Sequence, residues 1–210
     1  MNGIAPRILV IAVAVSLVVG GVAGFFLGIA SSKAGKAFIR DIFEEERMAE
    51  VSHPKKLVRD KFELQYPSNW NVSVDDEDYD PDHLFSIESP GTAFVMFAIG
   101  TLEMEPEDNL QIQIREFEKL MGSPSMDRFE SYGRLTGKGV TLKGKVMGIK
   151  TTAKLFAFHQ DGLTVMITQQ CPDEDLKCVQ DGLTLIESSF TPRTKNEKGT
   201  PDKPDAGGGQ

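Results

Sequence analysis

Cysteine, histidine and tryptophan are scarce in this chain: two, three and one, respectively, in 210 residues. Two thiols can neither staple a small secreted scaffold nor build a four-thiolate zinc site. Positive charge is short as well, with 23 Lys and Arg against 31 Asp and Glu and no run of clustered cations. Phosphate neutralisation needs several cations on one face, so nucleic acid is not the expected partner. Long apolar runs are absent except for one, which excludes a channel or transporter formed by a single copy. The length suits one ordinary domain with appendages.

What is present is unevenly distributed. Residues 1–30 hold 21 apolar side chains and one charge, Arg7, so the remaining 180 residues carry a net charge of −9. After a tail of residues 1–7, residues 8–30 (ILVIAVAVSLVVGGVAGFFLGIA) contain no charge. At about 1.5 Å per residue that run spans a bilayer core, and it exceeds the apolar stretch of an ordinary cleaved signal peptide. A single transmembrane anchor is the expected structure, with cleavage after the small residues Gly28-Ile29-Ala30 as the alternative. Gly20, Gly24 and Gly28 recur every fourth residue and could let two such helices pack as a homodimer, although glycine is common in membrane helices anyway. Lys33, Lys36 and Arg40 after the run favour a cytoplasmic C-terminal side by the positive-inside rule. A short tail ending in Arg7 instead resembles the start of an exported, signal-anchored protein. Both topologies stand at this point.

Residues 31–54 read as an amphipathic helical stalk, with Phe38, Ile39, Ile42 and Phe43 on one side and His53-Pro54 as its stop. Residues 191–210 lack large apolar side chains and read as a disordered tail. The folded domain is therefore expected over 55–190. Within it, Phe62, Leu64 and Tyr66 alternate with polar residues, as do Trp70, Val72 and Val74, then Phe85 and Ile87; TAFVMFAI at 92–99 is apolar on both faces. Pro106 opens a helix that Gly122 closes, with Leu110, Ile114, Phe117 and Leu120/Met121 on one side. Strands follow at 128–132, 139–146, 151–159 and 163–168, and a last helix spans about 174–188. Four strands, a helix, four strands and a helix predict an α+β fold, an antiparallel sheet covered by helices.

With these elements placed, the domain resembles the PsbP-like family, whose α/β/α sandwich is shared with a Ran-binding nuclear-import factor and several bacterial envelope proteins. The resemblance rests on Phe62-Glu-Leu-Gln-Tyr66-Pro67-Ser68-Asn69-Trp70, which matches the family's opening strand and its Tyr-Pro-x-x-Trp turn. The apolar strand 92–99, the hairpin around Asp161-Gly162 and the closing Ile186-Glu-Ser-Ser-Phe190 support it. It implies a non-enzymatic protein that binds and stabilises a larger membrane assembly, or engages a protein partner, often in the periplasm or a lumen. It brings over no functional residue, and Tyr66 and Trp70 are read as fold residues.

Candidate chemistry is sparse. Asp76, Asp78, Asp80 and Asp82 alternate in an acidic stretch and could converge on Ca²⁺. The EF-hand pattern fails, because Pro81 replaces the turn glycine and Ile87 the closing glutamate, so a solvated acidic loop is the plainer reading. Cys171 and Cys178 have no metal-motif spacing and would form a disulfide only in an oxidising compartment, with the last helix starting near Asp175. His53, His83 and His159 show no ligand spacing, and no catalytic set or cofactor motif stands out. The expected function is a membrane-anchored, non-enzymatic binding protein acting on a membrane or envelope complex from the extracytoplasmic side. The alternative is a cytoplasm-facing adaptor of the same fold.

Overall fold

The structure, a computed structural model, describes residues 48–73, 82–100, 105–160 and 162–193. The apolar run 8–30, with Gly20, Gly24 and Gly28, and the greater part of the stalk and tail lie outside these residues.

Strand β1 (Lys55–Val58), β2 (Phe62–Tyr66), β3 (Asn71–Ser73), β4 (Leu84–Glu88) and β5 (Phe94–Gly100) lead into helix α1 (Pro106–Met121). Strands β6 (Ser125–Tyr132), β7 (Leu135–Val146), β8 (Ile149–Gln160) and β9 (Leu163–Pro172) precede helix α2 (Leu176–Ser189) and the short β10 (Thr191–Pro192). All described pairings are antiparallel. The mixed α+β architecture is as the pattern predicts, but it contains two sheets rather than one. Seven strands form the main sheet in the order β3-β4-β5-β9-β8-β7-β6, and β2 pairs separately between β1 and β10.

Period-two alternation explains the layering. On β8, Phe156 and Phe158 face one core while Ala153, Leu155 and Ala157 face the other; on β9, Val165 and Ile167 oppose Met166. The first core receives Val179, Leu183 and Ile186 of α2 together with Phe62 and Leu64 of the small sheet. The second receives Leu110, Ile114, Phe117 and Met121 of α1, at the i, i+4, i+7 spacing of one helix face. The main sheet is thus buried on both faces, which is why its central strands are nearly continuous in apolar residues.

The ends differ from the sequence reading. The helical stalk was expected to run to a stop at His53-Pro54, whereas residues from Met48 to Pro54 are non-helical. Ala49 packs on the first core, and its N–H donates to the carbonyl of Cys178 at 2.9 Å, so contact with the domain replaces the intrahelical ladder. β1 gave no sequence signal because Lys55, Lys56 and Val58 are exposed and the strand is held by its ladder to β2. At the other end, β10 pairs with β2, and Arg193 donates its N–H to Lys61 at 2.8 Å, so order extends past 190.

Candidate functional site

The Tyr66-Pro67-Ser68-Asn69-Trp70 turn is a clamp. Pro67 accepts the Trp70 N–H at 3.1 Å, which closes the turn and drives the indole into the core. Asn69 then reads the main chain of the incoming strap in both directions: its Oδ1 accepts from Glu50 N–H at 3.0 Å and its Nδ2 donates to Met48 O at 2.8 Å. Ser68 N–H donates to Glu50 O at 3.0 Å, and the Ala49 bond to α2 completes the grip. Gly182 makes room for it, since a Cβ there would lie 2.7 Å from the Trp70 ring, 2.8 Å from Pro67 and 2.9 Å from Ala49. A glycine within a helix costs about 1 kcal/mol relative to alanine, and here that cost allows strap, turn and helix to meet. The chain arriving from the apolar run is therefore held at 48–50 by the domain's own turn.

Asn69→Ala removes both side-chain bonds to the strap while leaving Trp70 seated. A loss of about 1–3 kcal/mol in local stability is expected, with hydrogen exchange of Ala49 and Glu50 accelerating while β8 and β9 keep their protection. Uniform acceleration across the domain would show that Asn69 does not act locally.

Beside the clamp lies the thiol pair. α2 starts at Leu176 with Asp175 as its cap, the placement required for Cys171 and Cys178 to approach one another. Both are free thiols here, Cys171 buried and Cys178 half-buried. The Cys171 Sγ–H donates to Pro172 O at 3.1 Å. Burial, then the carboxylates of Asp175 and Asp173 and the neighbouring Cys178, push the Cys171 thiol up to about 12. A raised value means that the folded chain keeps a proton that the unfolded chain releases. The stabilisation is complete below the ordinary thiol value of 9.0 and is lost as pH climbs toward about 12. Thermal midpoints of the wild type should therefore fall more steeply above about pH 9 than those of Cys171→Ala, once both are referenced to neutral pH. Parallel curves would contradict the burial argument.

The other predicted residues are scattered. Asp76, Asp78 and Asp80 lie outside the described residues, and Asp82 is 3.8 Å from Arg59 in an ion pair. Among the described residues, no three His, Cys, Asp or Glu are grouped to hold a metal ion. His83 Nε2 is 2.6 Å from Lys61 Nζ, and His159 Nδ1 is 3.0 Å from Thr164 Oγ1. His53 does meet a serine and a carboxylate, but in the wrong order for nucleophilic chemistry. Ser52 donates its hydroxyl to Glu50 and lies 2.9 Å from His53 Nδ1, so its proton is directed at the acid rather than at the imidazole. The hydroxyl and N–H of Ser52 hold the Glu50 carboxyl below its ordinary value, and the three side chains are exposed.

Sequence reasoning missed the cluster at the far end of α2. Lys154 Nζ bonds Glu187 Oε2 at 2.7 Å and lies 5.1 and 5.2 Å from the ring centres of Phe129 and Tyr132. Glu187 Oε1 also accepts from Gly133 N–H at 3.2 Å. Burial, with Glu187 nearby, pushes the Tyr132 hydroxyl well above its ordinary value. Thirty-three residues separate the ionic partners, beyond the reach of any local pattern.

The fold and this site define a two-sheet α+β sandwich with a clamped N-terminal strap. No protein-family model matches the chain, and no curated protein matches it. Solved structures similar to it include a protein from Bacteroides thetaiotaomicron, 16% identical at a TM-score of 0.46, covering 68% of this chain and 50% of that one. LpqN, involved in cell envelope biogenesis of Mycobacterium tuberculosis, is 13% identical at 0.42 over 68% of this chain and 91% of its own. The cyanobacterial PsbP (CyanoP) of Synechocystis is 11% identical at 0.44 over 68% and 94%. The chain spans half the length of the first of these. A PsbP protein thus stands among the similar structures, as the resemblance led one to expect, and at such identities and scores function rests on this chain's own residues.

Proposed function

We propose that this chain is a membrane-anchored, non-enzymatic binding protein that assembles or stabilises a membrane or envelope complex from the extracytoplasmic side. The observation carrying this reading is the clamp. Asn69, Ser68 and Cys178 grip residues 48–50, the segment through which the domain is joined to the uncharged run 8–30. Such a grip fixes the point at which the chain joins the domain, which suits a binding module held at a membrane. The Glu50–Ser52–His53 contacts direct no base at the hydroxyl, so this reading gives them no catalytic role.

Carbonate extraction and affinity purification of the full chain from membranes test the reading. Retention in the membrane pellet together with a stably co-purifying membrane partner is expected; release into the supernatant, or the absence of a partner, counts against it. Lys33, Lys36 and Arg40 favour the second reading, a cytoplasm-facing adaptor. A membrane-impermeant maleimide and an impermeant reductant applied to intact cells separate the two. An extracytoplasmic domain yields a closed Cys171–Cys178 peptide that labels after reduction, whereas a cytoplasmic one stays reduced and protected until lysis.

A further inference from the structure

The tip of the β7–β8 hairpin breaks two local rules at once. The connection from Val146 to Ile149 is Met147-Gly148, with φ of 52° and 86°. A two-residue turn with both centres left-handed favours Asn or Gly at each position. Met147 is instead the one non-glycine residue with positive φ among the described residues, and at 48% it is the most exposed large hydrophobic side chain among them. One pair back, Lys145 lies directly opposite Lys150, and Lys143 follows two residues along on the same face, opposite Thr152. Like charges directly opposed across a hairpin repel, and among the described residues no carboxylate pairs with these. All three lysines are exposed, and none forms an ion pair among the described residues. Asp173, which approaches this face behind the tip, accepts the Thr152 hydroxyl at 2.9 Å.

The imbalance extends beyond the tip. Residues 125–160 carry seven Lys and Arg against two carboxylates, in a chain whose net charge is −8. Arg128, Lys138 and Lys154 are paired with Glu107, Glu130 and Glu187, so the unpaired lysines are concentrated around Met147. A strained, exposed apolar side chain just beyond a row of exposed cations on one hairpin face is a local conflict of the kind that marks function.

We propose that this tip docks on an anionic lipid surface, Met147 entering the headgroup boundary while Lys143, Lys145 and Lys150 meet the phosphates. A convex point of four side chains is far smaller than the patch of roughly 800 Å² per partner that a stable protein interface uses. Cations flanking an apolar residue are, by contrast, what an anionic bilayer attracts. The inference rests on the membrane-anchored reading, because the tether keeps the domain near lipid.

The test uses the full chain carrying Met147→Trp, reconstituted in vesicles of phosphatidylcholine alone or mixed with phosphatidylglycerol, with bromine on the acyl chains. Trp70 is fully buried and supplies a constant background. Quenching of the added indole should be at least about two-fold greater in the phosphatidylglycerol vesicles, and should fall to the phosphatidylcholine level when Lys143, Lys145 and Lys150 are all changed to Gln. Equal quenching in the two lipids, no quenching, or full quenching in the triple variant overturns the proposal. So does a tip that crosslinks to an acidic protein in native membranes without contacting lipid. Flotation of the chain with phosphatidylcholine vesicles reads the anchor separately, so failure of the tether and failure of the tip give different results.

Discussion

Phe97→Ala should remove about 3–5 kcal/mol of unfolding free energy, roughly a fifth or more of the 5–15 kcal/mol that a domain ordinarily has. Phe97 is fully buried on β5, with its ring centre 4.9 Å from Phe85 and 5.0 Å from Phe190. Phe62 closes the set, 4.8 Å from Phe85 and 5.9 Å from Phe190. Four rings in a closed circuit come from β2, β4, β5 and the end of α2, so they join the small sheet, the main sheet and the helix at one point. Truncating Phe97 opens a cavity with rigid aromatic walls and breaks two of the four contacts. Urea titration should show a lower midpoint at unchanged slope, while the exposed Met126→Ala stays within about 0.5 kcal/mol of wild type. A loss below about 1.5 kcal/mol would mean that the site collapses around the missing ring and that the circuit is not the junction described.

Gly133→Ala is expected to be comparably damaging for a different reason. Gly133 has φ of 57°, and a Cβ on it would lie 2.1 Å from the carbonyl oxygen of Glu187. The obstruction is helix backbone, which no rotamer change can move aside. Its N–H also donates to Glu187, the carboxylate that holds Lys154 between two aromatic rings. Pushing the β6–β7 turn away from α2 leaves a charge pair only about a quarter exposed without its geometry. Breaking fully buried pairs costs about 3–5 kcal/mol; allowing for that exposure, clash and ion pair together should cost about 3 kcal/mol. Gly148→Ala is the control, since its φ is 86° but nothing lies within 4 Å of the added atom. Backbone strain alone there should cost about 1 kcal/mol. Equal losses at 133 and 148 would show that the contact with α2 is unimportant. Hydrogen exchange should further show Phe129 to Leu135 opening in Gly133→Ala and staying closed in Gly148→Ala.

Local regularity decided which elements could be read in advance. α1 is bounded by Pro106 and Gly122 as the pattern predicts, because a proline at the first turn and a left-handed closing glycine act within a few residues of themselves. The start of α2 at Leu176 falls close to the expected 174, set by the apolar spacing of Val179, Leu183 and Ile186 rather than by a side-chain cap. β1 and β10 escaped because their stability comes from ladders to β2 rather than from their own side chains. The Tyr-Pro-x-x-Trp turn was legible as a turn, but the role of Asn69 was not: its partners are Glu50 and Met48, about twenty residues back. Lys143, Lys145 and Lys150 alternate with other residues along the chain and become one cationic patch only when β7 and β8 pair.

By itself the sequence determined the uncharged run 8–30, the acidic balance, the two helix faces and the alternation that buries both sides of the main sheet. Those properties depend on composition and on periods of 2 and 3.6, which are written locally. Only the tertiary structure decided that β2 leaves the main sheet, that the strap is clamped, that Lys154 meets Glu187 and that like charges face each other behind Met147. Each of these depends on which distant segments share a face, and that is settled by the packing of the whole chain rather than by any window of it.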